Sequence, residues 1–152
     1  MKLAEALALR ADIQKRVEQL RERLRMSALV QEGDQPPEDP QALLVELGRM
    51  LADLTALIAR INRTNLATQL PDGTSLTDAL ARRDTLALHH SVLKTVADAA
   101  SARIDRYTRS EIRRMATVDV AALRRQMDEV AKQRRELDTA IQAANWTTEL
   151  VE

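Results

Sequence analysis

Five polar side chains interrupt apolar stripes at helical spacing: Arg10, Asn65, Arg83, His90 and Arg134. Guanidinium groups gathered in one cavity need an anion, because an unpaired buried charge is very costly. If these residues lie at similar depth in an antiparallel bundle, they form a pocket for a small anionic ligand such as a nucleotide. The competing reading is that each arginine pairs with a nearby carboxylate, such as Asp12, Asp84 or Asp138, or reaches water along its flexible stem. A polar seam residue can also simply fix register or oligomeric state.

Two further groups could join such a pocket. Asn62 and Asn65 are three residues apart and share one helix face. Paired amides of this kind can read an amide or a base edge; at a helix end they also satisfy free carbonyls and loop backbone. The segment Arg103, Arg106, Tyr107, Arg109, Arg113, Arg114 sets basic groups around one aromatic. That combination grips phosphates and stacks a base, or serves as an arm that pairs with acidic faces of a neighbouring chain. The candidate ligand-binding residues are therefore Arg10, Asn62, Asn65, Arg83, Arg109 and Arg134.

Catalytic and metal signatures are missing from the pattern. His89 and His90 are adjacent, so on a helix they point about a hundred degrees apart and do not chelate one ion. No nucleophile–base pair, glycine-rich phosphate loop or metal-ligand spacing can be read, and no cofactor is implied. The sequence reads as a non-enzymatic protein, with an enzyme whose site forms between subunits as the alternative.

The positions of these residues depend on four helices. The first spans about 2–30, with the stripe Leu3, Ala6, Arg10, Ile13, Val17, Leu20, Leu24, Ser27. Its alternating steps of three and four are those of a left-handed coiled-coil seam. Gly33, Asp34, Pro36, Pro37 and Pro40 then form a linker that implies an antiparallel hairpin. The second helix, about 41–68, has the cleanest stripe, Leu44, Leu47, Leu51, Leu54, Ile58, Ile61, Asn65 and Thr68, and Leu43, Met50 and Leu57 widen it to a broad apolar face. Pro71-Asp72-Gly73 marks a turn in which glycine accepts positive φ, with short strands expected beside it. Thr77 is the expected N-cap of a third helix over 78–100, with Leu76 as its staple. The segment 101–118 reads as extended and arginine-rich, with an alternating strand over Glu111–Val118. Asp119 caps a fourth helix over 120–145, and Trp146 is expected to anchor the C-terminal end by packing, including at a subunit contact where aromatics are favoured, with base stacking as the alternative. The expected fold is an all-α bundle of four long antiparallel helices, one domain over 1–152, with a small β-hairpin or strand element.

Composition narrows the class of partner. The 152 residues carry 23 Lys plus Arg against 23 Asp plus Glu, a net charge of zero, which argues against general nucleic-acid binding. Cysteine is absent, which removes disulfide scaffolds and thiolate chemistry and agrees with a reducing compartment. No export signal or stretch of about 18 apolar residues is present, so a cytoplasmic location and no membrane contact are expected. The broad apolar face of the second helix and the unpaired strand together imply a homo-oligomer.

Several stretches also resemble a known family. Leu3-Ala4-Glu5-Ala6-Leu7-Ala8-Leu9-Arg10-Ala11-Asp12, Arg60-Ile61-Asn62-Arg63-Thr64-Asn65, Leu76-Thr77-Asp78-Ala79-Leu80, Tyr107-Thr108-Arg109-Ser110-Glu111-Ile112 and Asn145-Trp146 resemble the septicolysin-like family of small bacterial proteins. The resemblance spans nearly the whole chain. It implies a helical fold and no established activity. The cytolysin in that family's name finds no support in the residues, which show no segment able to cross a bilayer as a helix or an amphipathic hairpin.

Overall fold

The computed structural model describes residues 1–102 and 113–152. They form an all-α protein with four long helices: α1 Leu3–Ser27, α2 Pro40–Ala67, α3 Leu76–Ala100 and α4 Val120–Thr147. Each helix begins where capping chemistry allows it. Asp39 accepts a hydrogen bond from the Gln41 amide, and Pro40 occupies the first turn, where its missing N–H costs nothing. Asp119 accepts from the Ala122 amide at 3.0 Å. The cap of α3 is Ser75, two residues before the expected Thr77; its hydroxyl accepts from the Asp78 amide and donates to the Asp78 carboxylate. Leu76 is accordingly the first residue of the helix and fully buried.

The chain divides into two compact units, Met1–Gln69 with Gln142–Glu152, and Leu70–Ile141. In the first, α1 and α2 run antiparallel. Arg23 pairs with Glu38 and Glu46 at one end, while Leu9 and Ile13 share a groove with Leu57 and Arg60 at the other. Leu3, Ala6, Ile13, Leu20, Leu43, Leu57 and Ile61 are its buried apolar residues on these helices. The last residues strap this unit. The Leu3 amide donates to the Thr148 carbonyl and the Leu150 amide to the Met1 carbonyl, at 2.9 and 2.8 Å. Thr64, fully buried, donates to the Arg60 carbonyl and accepts from the Val151 amide.

In the second unit a tight turn leads into α3. The Leu70 amide donates to the Thr74 carbonyl at 2.8 Å, and Gly73 sits at φ +84°, a conformation that glycine adopts without steric cost. α3 and α4 lie side by side, with Arg83 of one reaching Asp138 of the other.

The β element is where the structure departs from expectation. Among the described residues no strand forms; bridge residues occur singly, Lys2 antiparallel to Glu149 and Gln69 and Ser75 on either side of the turn at Asp72-Gly73. The turn at Asp72-Gly73 closes within five residues and Ser75 at once caps a helix, so pairing beside the turn stops at single bridge residues and no hairpin of strands forms. Of the alternating stretch Glu111–Val118, residues 113–118 are irregular and exposed, as a strand without a partner must be; Glu111 and Ile112 lie outside the described residues.

Candidate functional site

The arginine seams yield one cleft in the second unit. Arg83, Asp84 and His90 on α3 face Arg134, Arg135 and Asp138 on α4 across a cleft of about 430 Å³. Arg83 and His90 are seven residues apart and so lie on one helix face. The Arg83 Nη1 stands 3.4 Å from an Asp138 oxygen, and its Nε and Nη2 each stand 3.4 Å from an Asp84 oxygen. Those are long contacts for a guanidinium and a carboxylate, which close to about 2.7–2.9 Å when well aligned. Arg23 shows the closed form in this same chain, gripping Glu38 through two bonds of 2.9 and 2.5 Å. Among the described residues Arg134 and Arg135 have no ion-pair partner. The cleft therefore holds three guanidinium groups against two carboxylates.

Arg83 and Arg134 are the two predicted ligand residues that the structure brings together. Arg10, Asn62 and Asn65 belong to the other unit. There the Arg10 Nε is buried with no hydrogen-bond partner among the described residues, Asn65 is half-buried and Asn62 is exposed. Arg109 lies outside the described residues. Arg135 was not singled out from the sequence: it sits beside the seam, and only the facing helix makes it part of the cleft. The arginines next to Asn62 hold the C-terminal strap, Arg60 donating to the Val151 carbonyl and Arg63 to that of Glu152. Among the described residues no group of three or more His, Cys, Asp or Glu side chains is arranged to hold a metal ion.

A second feature lies on the outside of α2. The residues buried on this helix are Leu43, Leu57, Ile61 and Thr64, whereas Leu44 and Leu51 of the predicted stripe are 48% and 42% exposed. The apolar face of α2 is wider than α1 alone can cover. At 100° per residue, Leu44, Gly48, Leu51, Thr55, Asn62 and Leu66 lie along one line, and Leu66 is 71% exposed. The five charged residues of α2, Glu46, Arg49, Asp53, Arg60 and Arg63, all fall elsewhere around the helix. Gly48 sits in the middle of this charge-free face, and a Cβ there would meet nothing within 4 Å. In the second unit α3 has a comparable outer stripe of Leu88, Val92 and Val96, all exposed. Trp146 is 65% exposed in the single chain, where the strap is fixed by backbone hydrogen bonds and by buried Leu150.

Comparison with known proteins supplies kinship without an activity. The profile of a family described as a family of unknown function, DUF6847, matches residues 10–150. A crystal structure of a functionally unknown conserved protein from Corynebacterium diphtheriae is 45% identical, with a TM-score of 0.92 over 99% of each chain. No curated protein matches the chain. These findings overturn the septicolysin-like resemblance: the chain matches a different family, and its solved relative is a functionally unknown conserved protein. Neither match points to an enzymatic activity.

Proposed function

The chain belongs to the DUF6847 family, whose function is unknown, and from that premise we propose that it is a non-enzymatic protein that assembles with copies of itself. The charge-free face of α2 is the contact, and a partner or ligand is bound where subunits meet. The observation that carries this reading is the exposed line of Leu44, Gly48, Leu51 and Leu66 on a helix whose charges all lie on other sides. Monomeric proteins seldom leave contiguous apolar surface of this kind uncovered, and such faces mark association sites. The spacing of Leu44, Leu47, Leu51, Leu54 and Ile58 suits knobs-into-holes packing against a second helix, as in a coiled coil. The exposed stripe on α3 and Trp146 offer further contact area, and aromatics are favoured at interfaces. No helix among the described residues is long and apolar enough to cross a membrane, so lipid is not the expected cover. The absence of cysteine supports a cytoplasmic setting.

Sedimentation velocity over a dilution series tests the proposal. The expected result is a concentration-dependent species at a multiple of the 17.0 kDa chain mass. A monomer at every concentration up to about 100 μM, a range where even Kd values of ~10 μM would be visible, would rule the reading out.

The Arg83 cleft favours a second reading, capture of a small anionic ligand. Its support is the excess of guanidinium over carboxylate and the lack of an ion-pair partner for Arg134 and Arg135 among the described residues. Arg10, Asn62, Asn65 and Arg109 belong to this reading only if the assembly brings them to a shared ligand.

A further inference from the structure

We infer that the cleft between Arg83 and Arg134 takes a compact oxyanion, the phosphate or carboxylate group of a small molecule, which replaces Asp138 as the partner of Arg83. This rests on the anion-capture reading above and deepens it by naming the ligand chemistry and the group it displaces.

The geometry of Arg83 carries the inference. Its guanidinium touches two carboxylates and closes on neither, with every contact at 3.4 Å. Asp84 is its neighbour in the helix, and adjacent helical side chains diverge by about 100°, so that pair lacks the parallel two-bond geometry. Asp138 offers a single contact across the cleft. A planar guanidinium is best served by two parallel bonds, as Arg23 and Glu38 demonstrate. A free oxyanion can turn to present two oxygens, which a carboxylate fixed on α4 does not do here. Arg134 and Arg135 line the same space, so the incoming group meets a second and third cation, and His90 adds a ring nitrogen on the Arg83 face. The volume of about 430 Å³ falls in the range of small-molecule pockets. The neutral net charge of the chain argues that the ligand is a small molecule and not a polyanion.

The test is an NMR titration of the full chain at low ionic strength. Inorganic phosphate and succinate are added in separate arms, and the His90 ring and the amides of residues 80–90 and 130–140 are followed. The inference predicts saturable shifts in at least one arm, the stronger arm naming the ligand class. Arg134→Gln is exposed in the wild-type fold and is expected to weaken binding about fivefold, the scale of one solvent-screened charge contact. Asp138→Asn removes the competitor and is expected to tighten binding by a similar factor of about five. Far-ultraviolet circular dichroism checks that both variants are folded, and His90→Gln serves as a second cleft variant should Asp138→Asn fold poorly. No saturable shift in either arm, for wild type and Asp138→Asn alike, overturns the anion reading and this inference with it. Saturable binding that Asp138→Asn leaves unchanged or weakens overturns the exchange while the anion reading stands. Binding untouched by Arg134→Gln and His90→Gln places the anion elsewhere and overturns the site.

Discussion

Gly48 provides a test in which the chain and its assembly respond in opposite directions. The residue lies in the interior of α2, is exposed, and has ordinary helical backbone; the glycines with positive φ are Gly33 and Gly73. A Cβ at position 48 meets nothing within 4 Å, so nothing inside the chain requires glycine there. Glycine in a helix interior costs about 1 kcal/mol relative to alanine, because the unfolded chain gives up more freedom. Gly48→Ala should therefore stabilise the dissociated chain by about 1 kcal/mol, a rise in Tm of roughly 2–4 °C for a chain of this size. The assay is thermal unfolding followed at 222 nm at a concentration where sedimentation shows monomer. If a second helix packs on this face, the missing side chain is what lets the two backbones approach. Gly48→Ala should then weaken association, and Gly48→Leu should weaken it further. A lower Tm for Gly48→Ala in the dissociated state would refute the reasoning, because it would mean that the chain itself covers the site. Unchanged association for both variants would remove α2 from the interface.

Other outcomes follow from the same structure. Leu51→Ala removes a side chain that is 42% exposed; covering that exposed part is worth about 1 kcal/mol per protomer, so a two-fold interface should lose about 2 kcal/mol, or ~30-fold in Kd by sedimentation. Ile61→Ala empties a position only 1% exposed and should cost about 2–5 kcal/mol in urea unfolding. Thr64→Val deletes the hydroxyl that accepts from the Val151 amide; the strap should loosen, seen as faster hydrogen exchange at Val151, with a stability loss of about 1–3 kcal/mol. Glu38 is held below the usual carboxylate range by its hydrogen bonds to Arg23, so its contribution is present above the unfolded value and is lost as pH falls through the lower folded one. The stability gap between wild type and Glu38→Gln should accordingly stand at pH 6 and shrink on acidification below about pH 4.3; a gap that widens in acid would contradict the assignment.

The helices were legible because their signals are local and redundant. Pro40 and Asp119 punctuate the chain where two of the helices begin, and Gly73 marks its turn with the expected positive φ. The burial of α2 was not legible to the same degree. Periodicity locates an apolar face but not how much of it a neighbour covers: within the one broad face of α2, Leu43, Leu57 and Ile61 are buried while Leu44 and Leu51 stay exposed. The alternation at 113–118 misled for a related reason: period two describes a strand only if another strand is there to pair with it. At the cleft, Arg83 and Arg134 were visible as breaks in two stripes, and Asp84 and Asp138 as their possible carboxylates. The 3.4 Å stalemate between them and the presence of Arg135 depend on how two helices align in space, which residue spacing does not encode. Residue type marks Trp146 for packing but does not name its partner: in the single chain it is 65% exposed, and backbone hydrogen bonds fix the strap.

The claim that a second copy covers the charge-free face of α2 is tested most directly by placing one thiol in this cysteine-free chain. Ala52→Cys puts it one turn beyond Gly48, at the edge of that face, and Glu18→Cys puts it on exposed α1. With a short bismaleimide, Ala52→Cys should give a concentration-dependent band at twice the 17.0 kDa chain mass, while Glu18→Cys should stay single. Equal cross-linking at both positions, or none at Ala52→Cys at concentrations where the protein is associated, would contradict the account.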